Sequence, residues 1–341
     1  MSAFDALITR AQQNPARVVL PEATDSRVLE AALHAQRDGR CHPVLVGEKK
    51  AIELAAKELA LPVDELQIVD TLDNEHQQSL AQALFEKRKH KGMTLDSASS
   101  ALADPLTFAC TLVHSGQADA CVAGAVYPTA DVTRAALQIV GAAKNATFVS
   151  SFFLMTMKHD FQPLSGVTVF ADCALVIEPD ATELSEIAVQ TARSTAALLG
   201  TTPVVAMLSF STDGSANHPR VGKVQEATAL TTTVFENEYP QWKVIGDVQL
   251  DAAVVPEILQ KKAPDIAAQL QDATLPNILI FPNLESGNIG YKLCERFGDC
   301  DAIGPVLQGL AQPVNDLSRG CKTEDISRIL AVTSLQAKAQ S

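Results

Sequence analysis

The stretch that decides the fold begins Arg17-Val-Val-Leu-Pro21, continues through Ser26 to Arg37, and closes with Pro43-Val-Leu-Val-Gly47. The first and last pieces are short, β-branched and apolar. Between them, apolar residues fall at 28, 29, 32 and 33, the spacing that lays one helical face on a core. Asp25 or Ser26 stands at the start, where a side-chain oxygen caps free N–H groups. Strand, helix and strand in so short a span make a βαβ unit, with parallel strands and a sheet covered on both faces. The alternation continues as a predicted helix over Lys49–Leu59, a strand over Leu66–Asp70, a helix over Glu75–Lys89, an apolar run over Ala118–Gly124 and a helix over Thr129–Val140.

The middle of the chain reads differently. Thr147–Met157 and Ser165–Ile177 are β-rich runs joined by the polar turn Lys158–Pro163. No helix fits between them, so an antiparallel pair is expected. Alternation then resumes, with helices over 181–199, 219–237, 251–260 and 286–297, strands over 203–209, 243–248 and 277–281, and a final helix over Thr323–Leu335. The change of pattern marks a second domain, and 341 residues suffice for about two.

Lys and Arg number 27 against 40 Asp and Glu, a net charge of -13 that argues against a nucleic-acid partner. No apolar run approaches the ~18 residues of a spanning helix. Asp5 breaks any signal-peptide order in the first ten residues, so no membrane association is expected. Seven scattered cysteines, none in a CxxC pair, read as free thiols of a reducing cytoplasm. Seven dispersed histidines without HExxH spacing predict no metal site.

Ligands of open α/β sheets sit beyond the carboxyl ends of strands. Four segments at such ends are rich in small polar residues: Gly124–Asp131, ahead of a helix carrying Arg134; Ser209–Asn217; Asn283–Asn288; and Gly309–Cys321. Hydroxyls, glycines and free helix N–H groups suit oxyanions such as phosphate, although the same residues are ordinary turn formers. Asn315 to Asp325 is the densest constellation. Ser318 and Arg319 are adjacent, Gly320 permits a tight bend, Thr323 is placed to cap the last helix, and Asp325 falls in its first turn. Asp325 thus fits a capping role as well as a chemical one. The basic run Lys87-Arg88-Lys-His-Lys91 suits a helix end and, in an acidic chain, an anionic ligand.

Gly304-Pro305-Val-Leu-Gln308-Gly309-Leu-Ala-Gln312-Pro313-Val-Asn315-Asp-Leu-Ser318-Arg319-Gly320 resembles the C-terminal hallmark of the phosphate acetyltransferases. So do Ala206–Thr212, Phe281–Asn288, Gly124–Arg134, Leu20-Pro21-Glu22, Arg27-Val28-Leu29 and Arg88–Thr94, over about residues 16 to 336. The resemblance implies two α/β domains with a cleft between them, like the isocitrate and isopropylmalate dehydrogenases. Residues 1–146 with 305–341 would form a discontinuous first domain and 147–304 the second. The activity implied is acetyl-CoA plus phosphate giving acetyl phosphate plus CoA, in a cytoplasmic homodimer, with CoA as substrate and no tightly bound cofactor or metal. A butyryl- or propionyl-specific enzyme and a non-catalytic acetyl-CoA-binding homologue are the alternatives.

Residue by residue, Asp325 matches the base that deprotonates CoA, Ser318 a hydroxyl that stabilises the reacting groups, and Arg319 the arginine on the acyl phosphate. Arg134 and Arg88 match arginines for CoA or phosphate, and Thr129, Tyr127, Asn288 and Asn315 are expected to contact substrate. Ala23, Tyr127, Pro128, Asp213 and Gln312 depart from the usual pattern; none belongs to the Ser318, Arg319 and Asp325 set. A dehydrogenase of the same fold would need a nicotinamide and an acidic metal cluster, and no GxGxxG is present. Cys321 and Cys173 are the candidate nucleophiles of a rival two-step route.

Overall fold

A computed structural model describes residues 3–144, 146–157, 166–270 and 275–340. In chain order its strands are β1 (Arg17–Leu20), β2 (His42–Gly47), β3 (Gln67–Asp70), β4 (Ala120–Ala123), β5 (Ser150–Met157), β6 (Val167–Ala171), β7 (Val204–Leu208), β8 (Lys243–Val248), β9 (Ile278–Ile280), β10 (Cys300–Gln308) and β11 (Val314–Asp316). The helices are α1 (Ala3–Gln13), α2 (Ser26–Arg37), α3 (Lys49–Glu58), α4 (Asn74–Arg88), α5 (Leu95–Ala101), α6 (Pro105–His114), α7 (Thr129–Ala135), α8 (Ala181–Leu199), α9 (Pro219–Glu238), α10 (Leu250–Val254), α11 (Pro256–Lys262), α12 (Pro264–Leu270), α13 (Leu284–Phe297) and α14 (Thr323–Gln340). Contacts gather these into two units, one made of Asp5–Val149 and the chain from Gly309 onward, the other chiefly of Ser150–Gln308.

In the first unit five parallel strands lie in the order β11-β4-β1-β2-β3. Val18, Val19 and Leu20 of β1 are at most 1% exposed, as a strand covered on both faces requires. On one face α2 packs against α14. The α2 cap is Asp25, which accepts the Arg27 N–H at 2.9 Å, and the buried stripe is Val28, Leu29, Ala31, Ala32, Leu33 and Ala35. From β1 the chain builds outward through β2 to β3, then crosses back to lay β4 on the other side of β1. That reversal of strand order opens a crevice at the carboxyl ends of β1 and β4.

The second unit has a mixed sheet, β10-β5-β6-β9-β7-β8. The two β-rich runs pair antiparallel as β5 and β6, from Phe152 opposite Ala171 to Thr156 opposite Val167. The turn assigned to Lys158–Pro163 lies outside the described residues. Phe153, Phe170, Ile245, Leu279 and Phe281 anchor this core, and Phe153 stacks on Tyr291 at 4.1 Å between ring centroids.

Three departures from the sequence reading have physical causes. The single helix expected over 251–260 is two, because Pro256 lacks an N–H and forces Val255 into extended geometry at φ -125°. The helix predicted over Thr129–Val140 leaves α-geometry at Ala136 and ends in a wider π turn closed by Gly141 at φ +87°. The segment 314–316, read as loop, is the strand β11, too short to show a period and held by pairing with β4.

Candidate active site

The carboxyl ends of β1, β4 and β11 deliver three loops to one edge of the first sheet. Glu22, 6% exposed, stands on the first loop and organises the second. Its Oε2 accepts the Ala125 N–H at 2.9 Å, and its Oε1 accepts the N–H groups of Val126 and Tyr127, both at 2.7 Å. Successive backbone donors otherwise left unpaired thus converge on one carboxylate.

Arg27, in the first turn of α2, joins all three loops. Its Nε and one Nη grip Asp25 at 3.0 and 2.9 Å. Its remaining N–H groups reach the carbonyls of Ala125 at 2.8 Å, Arg319 at 2.8 Å and Cys321 at 3.0 Å. All five guanidinium protons are therefore committed to protein, which makes Arg27 a strut and not an anion site. Burial alone would raise the Asp25 carboxyl, but the hydrogen bonds and charge of Arg27 outweigh it and hold that group below the usual carboxylate range.

Ser318 and Arg319 occupy the third loop and are exposed. The Ser318 hydroxyl accepts the Gly320 N–H at 3.3 Å, which leaves its own proton to donate. The Arg319 carbonyl is tied to Arg27, while its guanidinium meets no carboxylate among the described residues. Asp325 is exposed in the first turn of α14, and its Oδ2 accepts the Lys322 N–H at 2.9 Å. That bond ties the first turn of α14 to the residue ahead of it. Thr323 is already helical, and its hydroxyl donates to Glu30 on α2 at 3.0 Å. Ser318 and Arg319 stand on the loop that leads into α14, and Asp325 stands in the first turn of that helix.

The other expected residues divide. Thr129 is exposed at the start of α7. Tyr127 gives its N–H to Glu22 and its phenol to Asp104, the α6 cap, at 2.6 Å; burial and Asp104 push that phenol well up. Arg134 on α7 pairs with Asp131. Arg88, at the end of α4, is half-buried and meets no carboxylate among the described residues. Asn315 is corrected: it sits inside β11 at 0% exposure and donates to Thr333 and Gln336 at 2.8 and 3.0 Å, so its side chain packs under α14. Asn288 belongs to the second unit, where it donates to the Cys173 carbonyl at 3.0 Å and accepts from Lys292 at 2.7 Å.

Neither of the two candidate thiols is a nucleophile at neutral pH. Burial pushes Cys321 up to about 11 despite Arg27, and burial raises Cys173 well above the ordinary range, so both stay protonated at neutral pH. Among the described residues no three His, Cys, Asp or Glu side chains form a metal-binding group.

Sequence reasoning missed Glu22, Arg27 and Asp316 as site residues. The first two directly follow the strand where ligands of such sheets gather, and that position was the available signal.

A family model described as phosphate acetyl/butaryl transferase matches residues 2–334. The phosphate acetyltransferase of Thermoanaerobacterium thermosaccharolyticum is 43% identical over 338 residues, covering 99% of this chain and 100% of that protein. The crystal structure of a phosphotransacetylase from Streptococcus pyogenes has a TM-score of 0.88 at 39% identity and covers 98% of both chains. The 4-hydroxythreonine-4-phosphate dehydrogenase of Klebsiella pneumoniae, 11% identical with a TM-score of 0.57 over 95% of this chain and 99% of that one, shares the dehydrogenase-like α/β fold alone. The chain therefore belongs to the phosphate acetyl/butyryl transferase family.

Proposed function

We propose that this chain moves an acetyl group reversibly between coenzyme A and inorganic phosphate in one ternary complex, with CoA as substrate and no tightly bound cofactor. The observation that carries the reading is the junction of Ser318, Arg319 and Asp325, braced from behind by Glu22 and Arg27. Full-length likeness to phosphate acetyltransferases supports the choice of acyl group and acceptor.

In the direction that forms acetyl-CoA, the CoA thiol loses its proton to Asp325 and the sulfur attacks the acetyl carbonyl. The resulting oxyanion takes the free proton of Ser318 as a hydrogen bond. The carbon–oxygen bond to phosphate then breaks, and Arg319 holds the departing phosphate through two parallel N–H groups. An ordinary thiol at about 8.5 and an ordinary aspartate at about 3.9 differ by about 6 kcal/mol in proton affinity. Cations near the sulfur must close that gap from the thiol side, and Arg319, Arg88 and Arg134 are the candidates. Arg88 and Arg134 also suit the phosphates of CoA.

One assay tests the reading: phosphate-dependent release of free CoA from acetyl-, propionyl- and butyryl-CoA, run across pH for the native chain and Asp325→Asn. Acetyl-CoA should be the best substrate, and the variant should fall by about 100-fold or more, the usual worth of a general base. Acetyl-CoA binding with no phosphate-dependent release overturns the transfer reading. Native rates with an unaltered pH profile in the variant remove Asp325 from the role of base.

Seven free cysteines accord with a reducing cytoplasm, and among the described residues no helix is long and apolar enough to cross a membrane. A homodimer is part of the same proposal. On α13, Ile289, Leu293 and Phe297 follow one another at four-residue spacing and are 59%, 51% and 85% exposed, an apolar row that suits a second copy of the chain. Sedimentation should give twice the chain mass, and Leu293→Lys with Phe297→Lys should halve it; a native monomer disproves the dimer.

A further inference from the structure

The loops after β4 and β11 run side by side from a shared base. The Leu317 N–H donates to the Ala123 carbonyl at 2.7 Å, which extends the pairing of Asp316 with Ala123. Gly124 comes next and lies against both partners: a Cβ there would stand 2.3 Å from Asp316 Oδ1 and 2.6 Å from the Leu317 nitrogen, and its φ is +108°. Only glycine permits that approach. Ser318 is one residue past Leu317, and Val126 is two past Gly124. Further out Arg27 ties the same two loops again. One guanidinium holds the Ala125 carbonyl through Nη2 and the Arg319 carbonyl through Nη1, both at 2.8 Å. Val126 therefore flanks the Ser318-Arg319 pair, held to it at both levels.

Val126 combines a fixed backbone with a free side chain. Its N–H and that of Tyr127 both end on Glu22 Oε1 at 2.7 Å, and the Ala125 carbonyl ahead of it ends on Arg27. Tyr127 is pinned in turn by its phenol, which donates to Asp104 at 2.6 Å. None of these bonds uses the Val126 side chain. The residue is 57% exposed, although Ala125 before it is 3% exposed. A β-branched side chain on a fixed backbone has few rotamers, so its two methyl groups form a stiff wall. Single exposed valines are common on protein surfaces and carry no meaning by themselves. This one stands past the carboxyl end of β4, where ligands of open sheets gather. Among the described residues of the three loops, Ala23, Ala125 and Leu317 are buried, and Val126 and Pro128 are the apolar side chains left exposed.

Such a wall has a use in the transfer step. The reacting carbon carries four groups: the oxyanion at Ser318, the phosphate oxygen at Arg319, the sulfur that Asp325 has deprotonated, and the methyl of the acetyl group. The methyl must point away from the other three. We propose that it rests against Val126, so that this side chain limits the length of the acyl group the protein transfers. The inference rests on the phosphate-transfer reading and deepens it. Acetyl ends at the wall. Each added methylene must push the isopropyl group aside or lift the carbonyl off Ser318, and the bonds to Glu22 and Arg27 keep the wall from retreating.

The test measures kcat/KM for phosphate-dependent CoA release from acetyl-, propionyl- and butyryl-CoA. Val126→Ala should raise the butyryl-to-acetyl ratio by about 10-fold or more, the usual worth of a methylene against a pocket wall. Val126→Leu extends the wall and should lower the propionyl-to-acetyl ratio by a similar factor. Phosphate KM and the denaturant midpoint should match native values in both variants, because the bonds that set the loop come from the backbone. Pro128→Ala should leave both ratios as they are. Equal losses with all three substrates, at native ratios, would mean a disturbed loop and overturn the inference. A ratio that shifts in Pro128→Ala and not in Val126→Ala also overturns it. Either result leaves the transfer activity standing. Native protein that releases CoA from none of the three in the presence of phosphate overturns the transfer reading, and this inference with it.

Discussion

A Glu22→Gln chain is expected to lose about 2–3 kcal/mol of stability and most of its phosphate-dependent CoA release, although glutamine matches glutamate in shape. Both oxygens of Glu22 work as acceptors, Oε2 for Ala125 and Oε1 for Val126 and Tyr127. A glutamine amide keeps one oxygen and turns the other position into a donor. Whichever way it points, at least one backbone N–H faces another N–H. Ala125 is 3% exposed, so water does not replace the lost acceptor. Leaving one such buried donor unpaired costs about 1–3 kcal/mol, and the opposed dipoles add to it. The cost falls on the loop that carries Tyr127 and Thr129, so rate should fall along with stability. Denaturant unfolding and the CoA-release assay read both effects. Native stability with native rate would show that the three N–H groups find other partners and that Glu22 does not organise the loop.

That same geometry explains what the sequence concealed. The partners of Glu22 are backbone groups 103 to 105 residues away, and backbone donors leave no mark on residue type. Arg27 is equally silent, since three of its five bonds end on carbonyls. By contrast α2 was legible to the residue, because its cap at Asp25 and its apolar stripe are local signals. The helix α6 was not legible: Leu106 and Phe108 through Val113 are all buried, and a helix covered on every side shows no period. Asn315 was misplaced for the same kind of reason, since a three-residue strand declares itself only through the neighbour it pairs with. The residues at the exposed junction were found through resemblance, and the reason they stand together lies in strand order, which no single segment encodes. Ser318, Arg319 and Asp325 sit beyond β11, and β11 reaches the site only by pairing with β4 across 193 residues of chain, as Val314 opposite Cys121 and Asp316 opposite Ala123 require.

Arg319→Lys should reduce kcat/KM by about 100- to 1000-fold with little change in stability, the loss typical of removing a donor that meets developing charge. The fold does not rely on this side chain. It is exposed and meets no carboxylate among the described residues, while its backbone carbonyl is already fixed by Arg27. Lysine keeps the charge and changes only the presentation. A guanidinium offers two parallel N–H groups in one plane, matched to two oxygens of a phosphate, whereas an ammonium is a point charge on a flexible stem. If charge alone held the phosphate, the variant would work nearly as well as the native enzyme. If paired donors hold it, the variant should fail, and free guanidinium ion should partly restore turnover in Arg319→Ala where ammonium ion does not. Arg27→Lys supplies the contrast, since it releases the carbonyls of Ala125, Arg319 and Cys321 and should lower stability and rate together, with no rescue by added guanidinium. Native turnover in Arg319→Lys would place the phosphate on other groups and leave Arg319 as an exposed arginine at the edge of the loop.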